Sequence, residues 1–253
     1  MSKTILIANW KMQLQNKEAW EMATELKNII QKTTKNIEVI LCPSFTALPQ
    51  VAEIIKDSPI KLGAQNVFYH EKGSYTGEIS PLMLKELGVT HVIVGHSERR
   101  HFIGETDADL NLKIKTCLTH NLTPIICIGE TFDERRLGKT EVTIIRQLTR
   151  GLEDVKLTGD QQLIIAYEPV WAISPAPPAE PTDVKKLVAV IKMILADFFS
   201  AEVIDKNTTL IYGGSVDSNN INDFLEPNLI TGALVGGASL NIEKFSAIIN
   251  KIN

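Results

Sequence analysis

No stretch of apolar residues in this sequence approaches the length needed to cross a bilayer, so a membrane partner is not expected. Charge of one sign is not in excess either: 26 Lys and Arg stand against 30 Asp and Glu, a formal net charge of -4. A clustered basic face, the footprint of a polyanion partner, is therefore absent from the expectation, and nucleic acid with it. Cysteine is scarce. Cys42, Cys117 and Cys127 form an odd set with no CxxC pair, which argues against a disulfide framework and for a reducing compartment. The opening MSKTILIANWKM has one short apolar run and then Asn9 and Lys11, too short for a signal-peptide core, so a cytoplasmic location is expected. Neither a GxGxxG nor a Walker A string occurs, so no dinucleotide or nucleoside triphosphate is indicated.

What is present is enough for a sizeable core. The 253 residues are 44% hydrophobic and 22% charged, near globular averages, although length alone allows one domain or two. Short apolar, β-branched runs recur at 4–8, 37–42, 60–64, 90–94, 123–128, 162–166, 208–212 and 230–235. Between several of them lie stretches with helical spacing: Lys17–Ile30, Leu82–Leu87, Asp107–His120, Glu134–Leu152 and Thr182–Phe199. Fully apolar strands alternating with amphipathic helices indicate a parallel sheet covered by helices, and eight such units suit closure into a barrel. An open doubly wound sheet is the alternative. Residues 65–80 form a connection long enough to be functional or interfacial. The proline-rich 174–181, SPAPPAEP, reads on composition alone as a linker.

In a barrel the carboxyl ends of the strands share one rim, and reactive residues are expected just after the apolar runs. Asn9 and Lys11 follow the first run, His96 the fourth, Glu168 the sixth, and Gly213–Gly214 and Gly236–Gly237 the seventh and eighth. A partly desolvated carboxylate at Glu168 is poised for proton abstraction beside a carbonyl. His96 precedes SER, where Ser97 reads as a helix cap; an uncharged imidazole there suits hydrogen bonding to a carbonyl or enolate oxygen. Lys11 offers a point charge to an enediolate or a phosphate. The two glycine pairs let backbone amides approach a phosphate. Each residue alone has a plainer reading: a surface carboxylate, a structural histidine, a solvated lysine, a tight turn. His91, His96 and His101 match no chelating spacing, so no metal site is expected.

Taken together, NWK at 9–11, GHSERR at 95–100, AYEPVWAI at 166–173, YGGSV at 212–216 and GALVGGASL at 232–240 closely resemble the triose-phosphate isomerase family. GAQNV at 63–67, GSYTGEIS at 73–80 and CIGE at 127–130 extend the resemblance almost from end to end. It implies an α/β fold, a single-domain (β/α)8 TIM barrel over 1–253, interconverting dihydroxyacetone phosphate and glyceraldehyde 3-phosphate without cofactor or metal. Glu168 is then the base, His96 the polarising imidazole, Lys11 the enediolate-stabilising cation, Asn9 a substrate-orienting group and Glu98 a support behind them. Amides of Ser174, Ser215, Gly236 and Gly237 would hold the phosphate. A homodimer is implied through the 65–80 loop, its tip near Thr76 reaching the partner's rim.

The resemblance breaks at 174–179, where SPAPPA stands in place of a lid close to GTGKTA. Prolines lack N–H donors and restrict the backbone before them, so a stiffened lid is expected. Thr231 stands where the family often has aspartate. Two alternatives follow: a catalytically weak triose-phosphate-binding barrel or scaffold with an altered lid, or another phosphate-handling barrel such as an aldolase or indole synthase.

Overall fold

The computed structural model describes residues 3–173, 176–227 and 229–252. Its strands are β1 (Thr4–Asn9), β2 (Ile37–Cys42), β3 (Lys61–Ala64), β4 (His91–Val94), β5 (Thr123–Ile128), β6 (Leu163–Tyr167), β7 (Thr208–Tyr212) and β8 (Gly232–Val235). They pair in parallel in sequence order, and β8 returns to β1, closing a barrel. The open doubly wound alternative is thereby excluded: this is a (β/α)8 barrel. Around it run α1 (Asn16–Lys32), α2 (Leu48–Ile55), α3 (Pro81–Glu86), α4 (Asp107–Thr119), α5 (Phe132–Arg136), α6 (Thr140–Gly151), α7 (Pro181–Leu195), α8 (Ala201–Asn207), α9 (Ile221–Phe224) and α10 (Ile242–Lys251).

The period-two geometry of a strand divides each apolar run between two cores. Ile7, Ile40, Ile93, Ile125, Cys127, Ile164, Ala166, Ile211 and Leu234 pack into the barrel lumen. Their neighbours Leu6, Val39, Val92, Ile126, Leu163, Ile165, Leu210 and Val235 face outward and pack in the second core with helix residues such as Leu26, Ile114, Leu148 and Ile191. Strands buried on both faces must be apolar throughout, hence the unbroken runs in the sequence.

Three local expectations are corrected. The expected helix 134–152 is two, because Gly138 adopts a left-handed φ of 66° between α5 and α6. Ser97 does not cap a helix: the amides of Arg99 and Arg100 both donate to the His96 carbonyl, and the chain then forms a π-helical turn at Arg99–Ile103. The stretch after 175 is not a linker. Ala179 is buried, Ala176 N–H donates to Ile173 O, and Pro181 starts α7, where its missing N–H costs nothing. Among the described residues no helix is long and apolar enough to span a membrane.

Candidate active site

Following each inward row to the last residue of its strand, for β1, or one residue past it, for β5 to β8, gives the rim. Ile5 and Ile7 lead to Asn9, Ile125 and Cys127 to Gly129, Ile164 and Ala166 to Glu168, Ile211 to Gly213, and Leu234 to Gly236. The same alternation that fills the lumen thus points two polar side chains over it and leaves three glycines beside them. These glycines make room. A Cβ on Gly213 would stand 2.6 Å from Glu168 Cγ, one on Gly236 would press on the Lys11 chain, and one on Gly129 would overlap the Glu168 carbonyl. His96 reaches the rim by a different device: Gly95, at φ 71°, turns the chain after β4.

Asn9, Lys11, His96, Glu168, Ser215, Gly236 and Gly237 line one cleft of about 900 Å³, roofed by Ile173, Ala176 and Pro178. Glu168 is 2% exposed. Its Oε2 accepts the Ser97 backbone N–H at 3.2 Å, and its Oε1 lies 3.3 Å from His96 Nε2. On the other side of the imidazole, the Glu98 amide donates to Nδ1 at 3.2 Å. An accepting Nδ1 assigns the proton of a neutral ring to Nε2, the nitrogen turned toward the carboxylate. Lys11 adopts φ 52°, its N–H donating to Asn9 Oδ1 at 3.0 Å, while Gln65 Nε2 donates to its carbonyl at 2.8 Å. The ammonium pairs with Glu98 Oε1 at 2.6 Å. Glu98 does not line the cleft; it holds Lys11 from behind. Beneath the base lies Cys127, whose thiol is held protonated, first by burial and then by the Glu168 charge.

Of the groups expected to grip phosphate, Ser215, Gly236 and Gly237 line the cleft, and the Ser215 amide is engaged elsewhere. The Ser215 N–H donates to Ala172 O at 2.9 Å and its hydroxyl to Ala176 O at 3.2 Å. Gly236 and Gly237 open a tight turn closed by Ser239, whose hydroxyl donates to Gly236 O. Ser174 lies outside the described residues.

The sequence reading assigned no role to the lid's anchors. Glu130, fully buried, accepts Trp171 Nε1–H at 2.7 Å and the Tyr167 hydroxyl at 3.1 Å, and Arg135 stacks 3.9 Å over the Trp171 ring. At the far end of the lid, Ala179 N–H donates to Tyr212 Oη at 3.2 Å. CIGE and YGGSV were visible as strings, but nothing in them says which lid atom each residue meets.

This arrangement can remove a proton next to a carbonyl and hold the oxyanion that results. The triosephosphate isomerase family model matches residues 4–252. The chain belongs to the triosephosphate isomerase family. Among relatives named triosephosphate isomerase, that of Trichodesmium erythraeum is 46% identical over 99% of both chains. The Dictyoglomus thermophilum protein is 44% identical over 98% of this chain and 99% of its own. A Clostridium botulinum relative is 43% identical over 99% of this chain and all of its own. Family membership and the cleft agree on an isomerase.

Proposed function

We infer that the chain interconverts dihydroxyacetone phosphate and D-glyceraldehyde 3-phosphate through an enediolate, acting as one domain over 1–253. The observation that carries the reading is the meeting of Glu168, His96 and Lys11 in one cleft beside two glycine turns. Glu168 takes a proton from the carbon beside the carbonyl and returns it to the neighbouring carbon. The His96 Nε2–H and the Lys11 ammonium carry the charge that develops on the two oxygens, and Asn9 orients the substrate. Glu98 keeps Lys11 extended over the cleft. Phosphate is held by the amides of Ser174, Ser215, Gly236 and Gly237, for which the Ser215 N–H must exchange its Ala172 carbonyl for the ligand. No observation favours a catalytically weak scaffold, since the polar groups this chemistry needs stand together.

A coupled assay from either triose phosphate tests the assignment with Glu168→Gln. General-base removal lowers kcat by about 10²–10⁴-fold; equal rates for variant and wild type would end the reading.

A homodimer through the 65–80 loop is part of the proposal. Residues 71–78 are exposed, and the rings of Phe68, Tyr69, His70 and Tyr75 pack, some stacked and some tilted, with centroids 4.3–5.6 Å apart in one aromatic knob. Met12, Met83, Phe102 and Ile103 are exposed apolar groups that a partner would cover. Light scattering on a size-exclusion column should give twice the mass of one chain; a monomer refutes it. The cysteine pattern supports a cytoplasmic, reducing location.

A further inference from the structure

We propose that Gln147 is a positioning residue for the base: its buried side-chain amide clamps Gly129, and Gly129 is the wall on which the Glu168 backbone rests. The inference depends on the reading of Glu168 as the base.

β5 ends at Ile128, so the N–H and C=O of Gly129 have no partner in the sheet. Gln147, on α6 and only 4% exposed, supplies both: Oε1 accepts the Gly129 N–H at 2.9 Å and Nε2 donates to the Gly129 carbonyl at 3.1 Å. A primary amide that donates and accepts at a single residue fixes the two peptide planes flanking it. The first of those planes carries the Ile128 carbonyl, to which the start of the β6 continuation is bonded, and the second leads into Glu130, which takes the next bond. Glu168 N–H donates to Ile128 O at 2.7 Å, and Val170 N–H donates to Glu130 O at 3.0 Å. Between these two bonds a Cβ on Gly129 would overlap the Glu168 carbonyl, so backbone lies on backbone. Glu168 therefore inherits its position from Gly129, and Gly129 from Gln147. A misplacement of about 1 Å at a reacting group costs on the order of a hundredfold in rate.

The phosphate-gripping turns after β7 and β8 receive nothing from Gln147, so its loss should appear in kcat and not in KM. Gln147→Met keeps the length and volume and removes both hydrogen bonds; Gln147→Glu keeps an oxygen for the Gly129 N–H and loses the donor. The control is Asn207→Leu. Asn207 is an equally buried amide that donates to Gly159 O and Gln161 O, just before β7 at the opposite end of the barrel.

At a temperature well below all unfolding transitions, Gln147→Met should lose about tenfold or more in kcat. Its KM and its competitive inhibition by inorganic phosphate should stay within about twofold of wild type, Gln147→Glu should fall between, and Asn207→Leu should lower Tm while keeping kcat. A Gln147→Met kcat within about twofold of wild type, or an equal kcat loss in Asn207→Leu, overturns the proposal. If Gln147→Met does not fold, Gln147→Glu is judged by the same criteria. Glu168→Gln run alongside separates the two failures. An inactive Glu168→Gln with an unaffected Gln147→Met refutes the clamp alone, whereas a fully active Glu168→Gln refutes the base and the clamp with it.

Discussion

Replacing Tyr212 by Phe takes one oxygen from the lid's exit hinge and leaves the packing in place. The Tyr212 ring is fully buried and stacks on Phe224 at 4.0 Å and 17°, contacts that Phe retains. What disappears is the acceptor for the Ala179 N–H, itself 2% exposed. A buried donor left without a partner costs about 1–3 kcal/mol. The lid can escape that cost by swinging out, where water satisfies the amide, so the penalty falls on the latched lid and hardly on global stability. A bias of about 1–2 kcal/mol against the latched state corresponds to a loss of about 5- to 30-fold in kcat/KM. Burial pushes the Tyr212 phenol up to about 12, the Ala179 hydrogen bond offsetting only part of it, so the latch does not titrate in the working range. The deficit should therefore be the same from about pH 6 to 9. The assay is the coupled isomerase rate with release of inorganic phosphate and methylglyoxal in parallel, because a lid that fails to exclude water lets the enediolate eliminate phosphate. Wild-type kcat/KM and wild-type phosphate release in Tyr212→Phe would refute the argument that this hydrogen bond holds the lid.

Grafting GTGKTA into 174–179 restores N–H donors where Pro175, Pro177 and Pro178 have none, and should change kcat and reduce methylglyoxal release; two unchanged values would dismiss the stiff-lid idea. Glu105 is buried: desolvation raises its pKa, but the Lys113 ammonium at 2.7 Å and the Arg99 guanidinium outweigh it and hold the carboxyl below its ordinary value. A depressed folded pKa stabilises above the unfolded value and is lost as pH falls through the folded one. Glu105→Gln should therefore cost about 3–5 kcal/mol at neutral pH and flatten the acid limb of a Tm-against-pH curve below about pH 4; an unchanged acid limb contradicts it. The three cysteines are buried, Cys117 pushed up to about 12 by desolvation and Cys42 and Cys127 also raised well above the ordinary thiol value, so a thiol reagent should label none in native protein and all three after denaturation. Fast labelling of the native fold would show that one of them is reached.

Much of this was legible before any coordinate. Short, β-branched, fully apolar runs suit strands covered on both faces, and eight of them at regular spacing with amphipathic stretches between suit a barrel; each run lies within two residues of an observed strand. Asn9, His96, Glu168 and the glycine pairs stood out because strand ends in a barrel share a rim. What local pattern could not show was anything depending on a contact far along the chain. Gly138 looked tolerable inside a helix until its left-handed φ divided α5 from α6. Ser97 read as a cap by residue type, whereas its N–H is aimed 71 residues away at Glu168. Gln147 carried no signal at all, and Tyr212 stood out only as part of the YGGSV string, since a buried amide or phenol takes its meaning from the atom it meets.

Sequence alone determined the architecture and the family and put forward the candidate site residues, because those follow from periodicity, motif and side-chain chemistry at strand ends. The tertiary structure alone decided which nitrogen of His96 carries the proton, which atoms Glu168 leans on, how the lid is tied at Glu130 and Tyr212, and why glycine is required at 129 and 213. Hydrogen bonds and steric contacts act over about 3 Å in space and are indifferent to separation along the chain, which is the only distance a sequence records.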